Sequence, residues 1–193
     1  MTRTSRSEEI VECALALLRE HGDHGLTMRQ VAKRCGMTLS NVQYYFGNRN
    51  DLLTAMADRY FGRCLEDIRQ LPPLPPDAAE SGGLRNMLEG FLAHGLEVSE
   101  MCRVFREYWA IATREDAVAD YLVRYYRELA TILSEKLQPL AASPEALARA
   151  VAVIIPYVEG YSITAPAHPI GFKPTCDLFA DIVARALREA GID

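Results

Sequence analysis

Residues 26–53 read LTMRQVAKRCGMTLSNVQYYFGNRNDLL, and one glycine among them restricts the fold more than any other residue. Thr27 opens a short helical pattern, with Gln30 three positions on to complete a capping box. Thr38 opens the next helix as its cap. Only Met37 and Thr38 separate Gly36 from that second helix, so Gly36 is expected to take the left-handed conformation that turns the chain. Val31, Ala32, Met37, Val42 and Phe46 then face inward, where the small Ala32 lets the two helices approach. Leu39, Ser40, Asn41, Gln43, Tyr44 and Tyr45 are left on the outer side of the second helix. Two short helices joined this way are a helix-turn-helix, an arrangement whose second helix can enter a DNA major groove.

The rest of the chain repeats its apolar residues at helical spacing, with no sustained alternation of the kind a strand shows. The fold class read from this pattern is all-α. A first helix is expected after Ser5, with Glu8 as its capping partner, and it stops near residue 21 at Gly22 and Gly25. Asn48 caps a long helix with Asp51 in its first turn, running to residue 71. Residues 71–76, LPPLPP, form a stiff non-helical elbow, because proline lacks the donor a helix needs and biases its predecessor toward extended geometry. Amphipathic stretches follow at 82–97, 99–112 and 115–138. Ser143 caps a further helix with Pro144 at its first position, continuing to about residue 163 across Pro156, which should disturb the bonding near Ala152. A loop rich in Pro and Gly leads to a last helix at 175–190, with Leu178, Phe179, Ile182, Val183, Ala186 and Leu187 on its apolar face. Residues 146–157 are apolar nearly all round, interrupted only by Arg149, so one side should meet the chain's own core and the other a partner. These last two helices are the expected homodimer interface.

Composition narrows the function classes. With 193 residues, 49% of them hydrophobic, the chain can bury one or two cores and is no disordered tail. Its longest uninterrupted apolar run, 150–158, contains Pro156 and is far shorter than the roughly 20 residues of a membrane helix. The apolar piece at 13–18 runs into Arg19 and Glu20 and resembles no signal peptide. The expectation is a cytoplasmic protein with no membrane partner. The five cysteines lie at least 22 residues apart and form neither a zinc knuckle nor a Cys-x-x-Cys pair, so reduced thiols and no metal or cofactor are expected. Residues 160–164, GYSIT, lack the final glycine and the preceding strand of a nucleophile elbow, and no catalytic site assembles elsewhere. The net charge of −5 speaks against a nucleic-acid partner until the chain is divided. Residues 1–63 hold 9 Lys and Arg against 7 Asp and Glu, while 64–193 hold 12 against 19, so the acidity belongs to the later part.

The long first helix, the helix-turn-helix, the Tyr44-Tyr45-Phe46 ending and the polar-basic-acidic-Leu start of the next helix occur in one order and spacing. Together they resemble the TetR family of bacterial transcriptional regulators, closely over residues 5–55 and in length and helical pattern beyond. The resemblance implies a DNA-binding domain at 1–50, a connecting helix at about 49–71, and an effector-binding and dimerisation domain at 51–193. It implies a homodimer on a palindromic operator of double-stranded DNA, most simply a repressor released by a small molecule that moves the connecting helix. By position, Thr27 and Arg29 would meet phosphates, as would Tyr44 and Arg49. Ser40, Asn41 and Gln43 would read base edges, with Leu39 against a thymine methyl, and Tyr45 stands where many relatives have His. The reading helix carries no Lys or Arg, and Gly47 stands where relatives often have Lys. That departure predicts a modest salt dependence and recognition through neutral hydrogen bonds.

For the effector, the candidate liners are Met87, Phe91 and His94, then Met101, Phe105, Tyr108 and Trp109, then Tyr121 and Tyr125, with Glu159 and Tyr161 as polar groups in an apolar helix. A Met and aromatic stripe at helical spacing is also what a plain core looks like. The alternative function is a helical ligand-binding protein or enzyme whose N-terminal domain does not read DNA, and the uncharged reading helix is its support.

Overall fold

The computed structural model describes the backbone of residues 3–97 and 99–188 and the side chains of 5–93 and 104–188. Helices follow one another without a strand among these residues: α1 (Arg3–His21), α2 (Met28–Arg34), α3 (Leu39–Tyr45), α4 (Arg49–Arg69), α5 (Ala78–Ser81), α6 (Gly83–Glu97), α7 (Ser99–Ala112), α8 (Asp116–Leu137), α9 (Pro144–Thr164) and α10 (Phe172–Arg188). The all-α expectation holds, with local differences. α1 begins at Arg3, so Ser5 lies inside the helix and does not cap it. The four-residue α5 falls where no helix was expected, ending at Gly82 with φ 84°. α9 runs across Pro156 as one helix, as expected, and by length and composition alone the segment 144–167 that contains it is apolar enough to cross a bilayer. Judging it by its longest uninterrupted apolar run understated this, because Ala, Gly and Ser between the large residues keep the whole helix weakly polar.

The helices pack as two units. The first comprises residues 1–66 with 100–126, the second residues 67–99 with 127–193. The boundary expected at residue 50 therefore separates candidate roles and is no packing boundary. In the first unit, Ile10, Ala14 and Leu18 of α1, Val31 and Val42 of the helix pair, and Leu53, Met56 and Phe61 of α4 are fully buried or nearly so. Val104, Tyr108 and Ile111 of α7 join this core, and the Tyr108 hydroxyl donates to the Leu53 carbonyl at 2.7 Å. Burial pushes that phenol far above its ordinary pKa, so it stays a neutral donor. In the second unit, α9 and α10 pack on each other and on α6, burying Leu84, Leu88, Ala150, Ile154, Phe179 and Val183. Arg85 of α6 reaches Asp177 of α10 and Glu89 of its own helix, each at 2.5 Å.

The elbow is organised by one lysine. Within residues 71–76 only Leu71 and Leu74 own a backbone N–H, and Leu74 donates its own to the Lys136 carbonyl at 3.0 Å. The Lys136 side chain, 7% exposed, turns its ammonium onto the Arg69 carbonyl at 2.8 Å and onto the Leu71 carbonyl. A cation thus satisfies carbonyls that α4 leaves open at its C-terminus, where the helix dipole favours it. Lys136→Met keeps the stem and removes the donor. It is expected to lower stability by about 2 kcal/mol, seen as a lower urea midpoint with the same slope; an unchanged midpoint would show that water replaces the ammonium there.

Candidate nucleic-acid interface

The turn between α2 and α3 has the geometry its glycine predicts. Gly36 sits at φ 64°, Met37 donates to the Ala32 carbonyl at 2.9 Å, and Gly36 donates to the Lys33 carbonyl at 3.3 Å. This pair of bonds is a Schellman closure. Thr27 and Thr38 both adopt extended backbone and cap their helices, accepting from the Gln30 N–H at 3.2 Å and from the Asn41 N–H at 3.3 Å. The Thr27 hydroxyl also donates to the Gln30 side-chain carbonyl at 2.6 Å. Val31, Ala32, Val42 and Phe46 are buried, while Met37 is half-buried at the edge of the turn.

This local geometry turns the outer side of α3 to solvent. Ser40, Asn41 and Gln43 are exposed, and Leu39 and Tyr45 are half-buried. Tyr44 is 67% exposed, with its ring edge-on to Tyr45 at 5.3 Å between centroids. A concavity of about 380 Å³ lies along this face, lined by Arg6, Gly36, Met37, Thr38, Asn41, Tyr44 and Tyr45. Thr27 and Arg29 are exposed at the start of α2. All nine expected DNA contacts are at least partly open to solvent, and eight of them lie on α2, α3 or the cap of α2.

The ninth behaves differently. Arg49, at the first residue of α4, points its guanidinium inward: Nε donates to the Leu26 carbonyl at 3.3 Å, Nη2 pairs with the Asp23 carboxylate, and Nη1 lies 3.6 Å from Glu115. Asp23 also receives Arg114 at 3.0 Å, and its backbone N–H donates to Glu107 at 2.8 Å. Other cations around the helix pair are likewise engaged, Arg34 by both Glu20 oxygens at 2.6 Å and Arg6 by Glu9 at 2.7 Å. Arg29 and Lys33 remain exposed without an ion pair among the described residues. Asp23, Glu107 and Arg114 escaped the sequence reading, since nothing in their spacing links them.

The expected effector liners are partly brought together. Phe105, Tyr121 and Tyr125 gather around Phe61 in the first unit, at centroid distances of 4.7, 5.9 and 4.8 Å. Tyr108 is fully buried in the same cluster. Trp109 turns outward, 50% exposed, and its indole N–H donates to the Tyr126 hydroxyl at 3.2 Å. Met87, Phe91, Glu159 and Tyr161 belong to the second unit, where the first three are half-buried and Tyr161 is buried. His94 and Met101 lie on α6 and α7, with side chains outside those described.

A capped helix pair closed by a left-handed glycine, with a hydrogen-bonding outer face, defines a helix-turn-helix DNA-binding protein. Comparison with known proteins agrees: residues 10–56 match the bacterial regulatory proteins of the tetR family. The chain is 52% identical over 188 residues, 97% of its length and 93% of the relative's, to an uncharacterized HTH-type transcriptional regulator in the dhlA 5' region of Xanthobacter autotrophicus. It is 29% identical over 125 residues, 61% of each protein, to the HTH-type transcriptional repressor AcnR of Corynebacterium efficiens. Among solved structures, a transcriptional regulator from Rhodococcus sp. Rha1 has the same fold, with a TM-score of 0.76 at 19% identity over 96% of this chain and 99% of that one. The chain belongs to the tetR family, and it is a DNA-binding transcriptional regulator.

Proposed function

We propose that this regulator is a homodimeric repressor that reads a palindromic operator with α3 and leaves it when a small, partly apolar effector binds within residues 51–193. The observation that carries the proposal is the solvent-facing row Ser40, Asn41, Gln43 and Tyr44 on a helix whose opposite side is locked by Val42 and the Gly36 turn. Asn41 and Gln43 have the paired donor and acceptor that match adenine N6 and N7, and Leu39 offers an apolar contact for a thymine methyl. Thr27, Arg29, Tyr44 and Tyr45 would hold the backbone and set register. The effector would contact some of Phe91, His94, Met101, Phe105, Trp109, Tyr121, Tyr125 and Glu159. Release requires only that it bind the DNA-incompetent form a few kcal/mol more tightly.

Selection of genomic fragments at low salt tests the reading. Enrichment of one palindrome supports it, and recovery of no palindrome from any region, the chain's own upstream region included, would overturn it. On the recovered fragment, Gln43→Ala is expected to relax preference at one or two base pairs by about 1–3 kcal/mol. Tyr44→Ala is expected to weaken operator and random duplex alike. Equal losses on both duplexes for both variants in a fluorescence titration would remove the division of roles.

A further inference from the structure

The family resemblance places a phosphate contact at Arg49, yet the geometry around this residue gives it other work. All three guanidinium nitrogens face protein acceptors: the Leu26 carbonyl, Asp23 and Glu115. The side chain is 28% exposed and its partner Asp23 21% exposed, so the pair is screened less than a surface one. Swinging Arg49 out to a phosphate would break all of these contacts and leave Asp23 to Arg114 alone. The surrounding charge also argues against a phosphate grip, because Asp23, Glu107 and Glu115 outnumber Arg49 and Arg114. The group as a whole offers DNA no positive potential.

What the group does hold is the turn at residues 22–26. Gly22 lies at φ 65°, and a Cβ there would come within 3.1 Å of the Glu107 carboxylate. Glu107 accepts the Asp23 N–H, Arg49 clasps the Asp23 carboxylate from α4, Arg114 clasps it from the residues just after α7, and Arg49 binds the Leu26 carbonyl. Leu26 immediately precedes Thr27, the cap of α2, and α2 carries α3 through the Gly36 turn. The orientation of the reading pair thus depends on a turn fixed by side chains from α4, α7 and the loop between α7 and α8, all within one packing unit.

We propose that Arg49 is a positioning residue for DNA reading, which with Asp23, Glu107 and Arg114 aims the helix pair and touches no phosphate itself. The inference rests on the DNA-binding reading but makes its own, separable predictions. A cation that contacts phosphate contributes about 0.9 to the slope of log affinity against log salt. Full-length Arg49→Gln should bind the selected palindromic duplex roughly ten- to a hundredfold more weakly with that slope unchanged. Asp23→Asn decides the matter by sign. It should also weaken the operator complex, whereas if Arg49 gripped a phosphate, removing its internal partner and a nearby negative charge would strengthen binding and steepen the slope.

Thermal unfolding of each variant shows whether it is folded at the assay temperature. Should Asp23→Asn melt below it, Arg114→Gln, whose side chain is 57% exposed, takes its place with a smaller loss in the same direction. Because the wild-type complex is measured first, absence of any operator reports on the function and not on Arg49. A slope lowered by about 1.8 in Arg49→Gln, about 0.9 for the Arg49 of each protomer, or tighter binding in Asp23→Asn, overturns the inference.

Discussion

Phe61→Ala is expected to lower stability by about 3–5 kcal/mol, an effect large enough to unfold part of the population near physiological temperature. The ring has no solvent exposure. It meets Tyr60, Phe105 and Tyr108 edge-on at 5.2, 4.7 and 5.1 Å and lies tilted against Tyr121 and Tyr125. Edge-on pairs add about 0.5–1.5 kcal/mol each beyond the area they bury, and truncation leaves a cavity between helices that cannot close on one another. Phe61→Leu, which keeps most of the volume, should lose less than half as much. Thermal unfolding followed by circular dichroism would show a melting temperature about 10 °C lower for the alanine variant. A shift of only 1–2 °C would mean that the five neighbouring rings already enclose free space, a state better suited to an effector pocket than to a core.

The same cluster shows where the sequence was sufficient and where it was not. The helix-turn-helix was legible almost residue by residue, because a cap, a left-handed glycine and a small inward alanine act within a few positions of one another. Local chemistry of that kind leaves little for distant residues to decide. Helical periodicity likewise placed α6, α7 and α8 within one or two residues, since burial on one face repeats at a fixed interval. Tertiary assignments were harder. Phe105, Tyr108, Tyr121 and Tyr125 carry an apolar, aromatic pattern that serves a core and a pocket equally, and only the position of Phe61 among them distinguishes one use from the other. Arg49 matched a family pattern by position, but its direction is set by the Leu26 carbonyl, Asp23 and Glu115, the last of them more than sixty residues away in the chain. Leu178 and Ile182 shared one expected apolar face of α10 with Phe179, Val183 and Leu187; they are 49% and 40% exposed, while the other three are buried. One amphipathic pattern therefore contained two stripes, and periodicity alone could not separate them.

That second stripe underlies the other large prediction. Within the second unit, Ala148, Ala152 and Ile163 on α9 are exposed and Ile155 is half-buried between them. Leu178 and Ile182 of α10, which packs on α9, are likewise exposed, so apolar side chains on both helices are left uncovered by the described residues. Covering a Leu or Ile side chain that would otherwise meet water contributes about 1.5–3 kcal/mol, and a face that pairs with its own copy doubles each such gain across a two-fold axis. The proposed homodimer would place Ile155 in that interface, where a carboxylate loses its water and finds no partner. Ile155→Asp is therefore expected to scatter light as a monomer of 21.5 kDa, with circular dichroism as helical as the parent. A single head engages only half of a palindrome and loses the effective concentration that tethers the second, so operator affinity should fall roughly a hundredfold or more. Val123→Asp, a charge at a 49% exposed position of the first unit, serves as the control and should keep both the dimer and the affinity. A folded Ile155→Asp protein that remains a dimer would show that this stripe lies outside the interface, and the partner surface would have to be sought elsewhere on the chain.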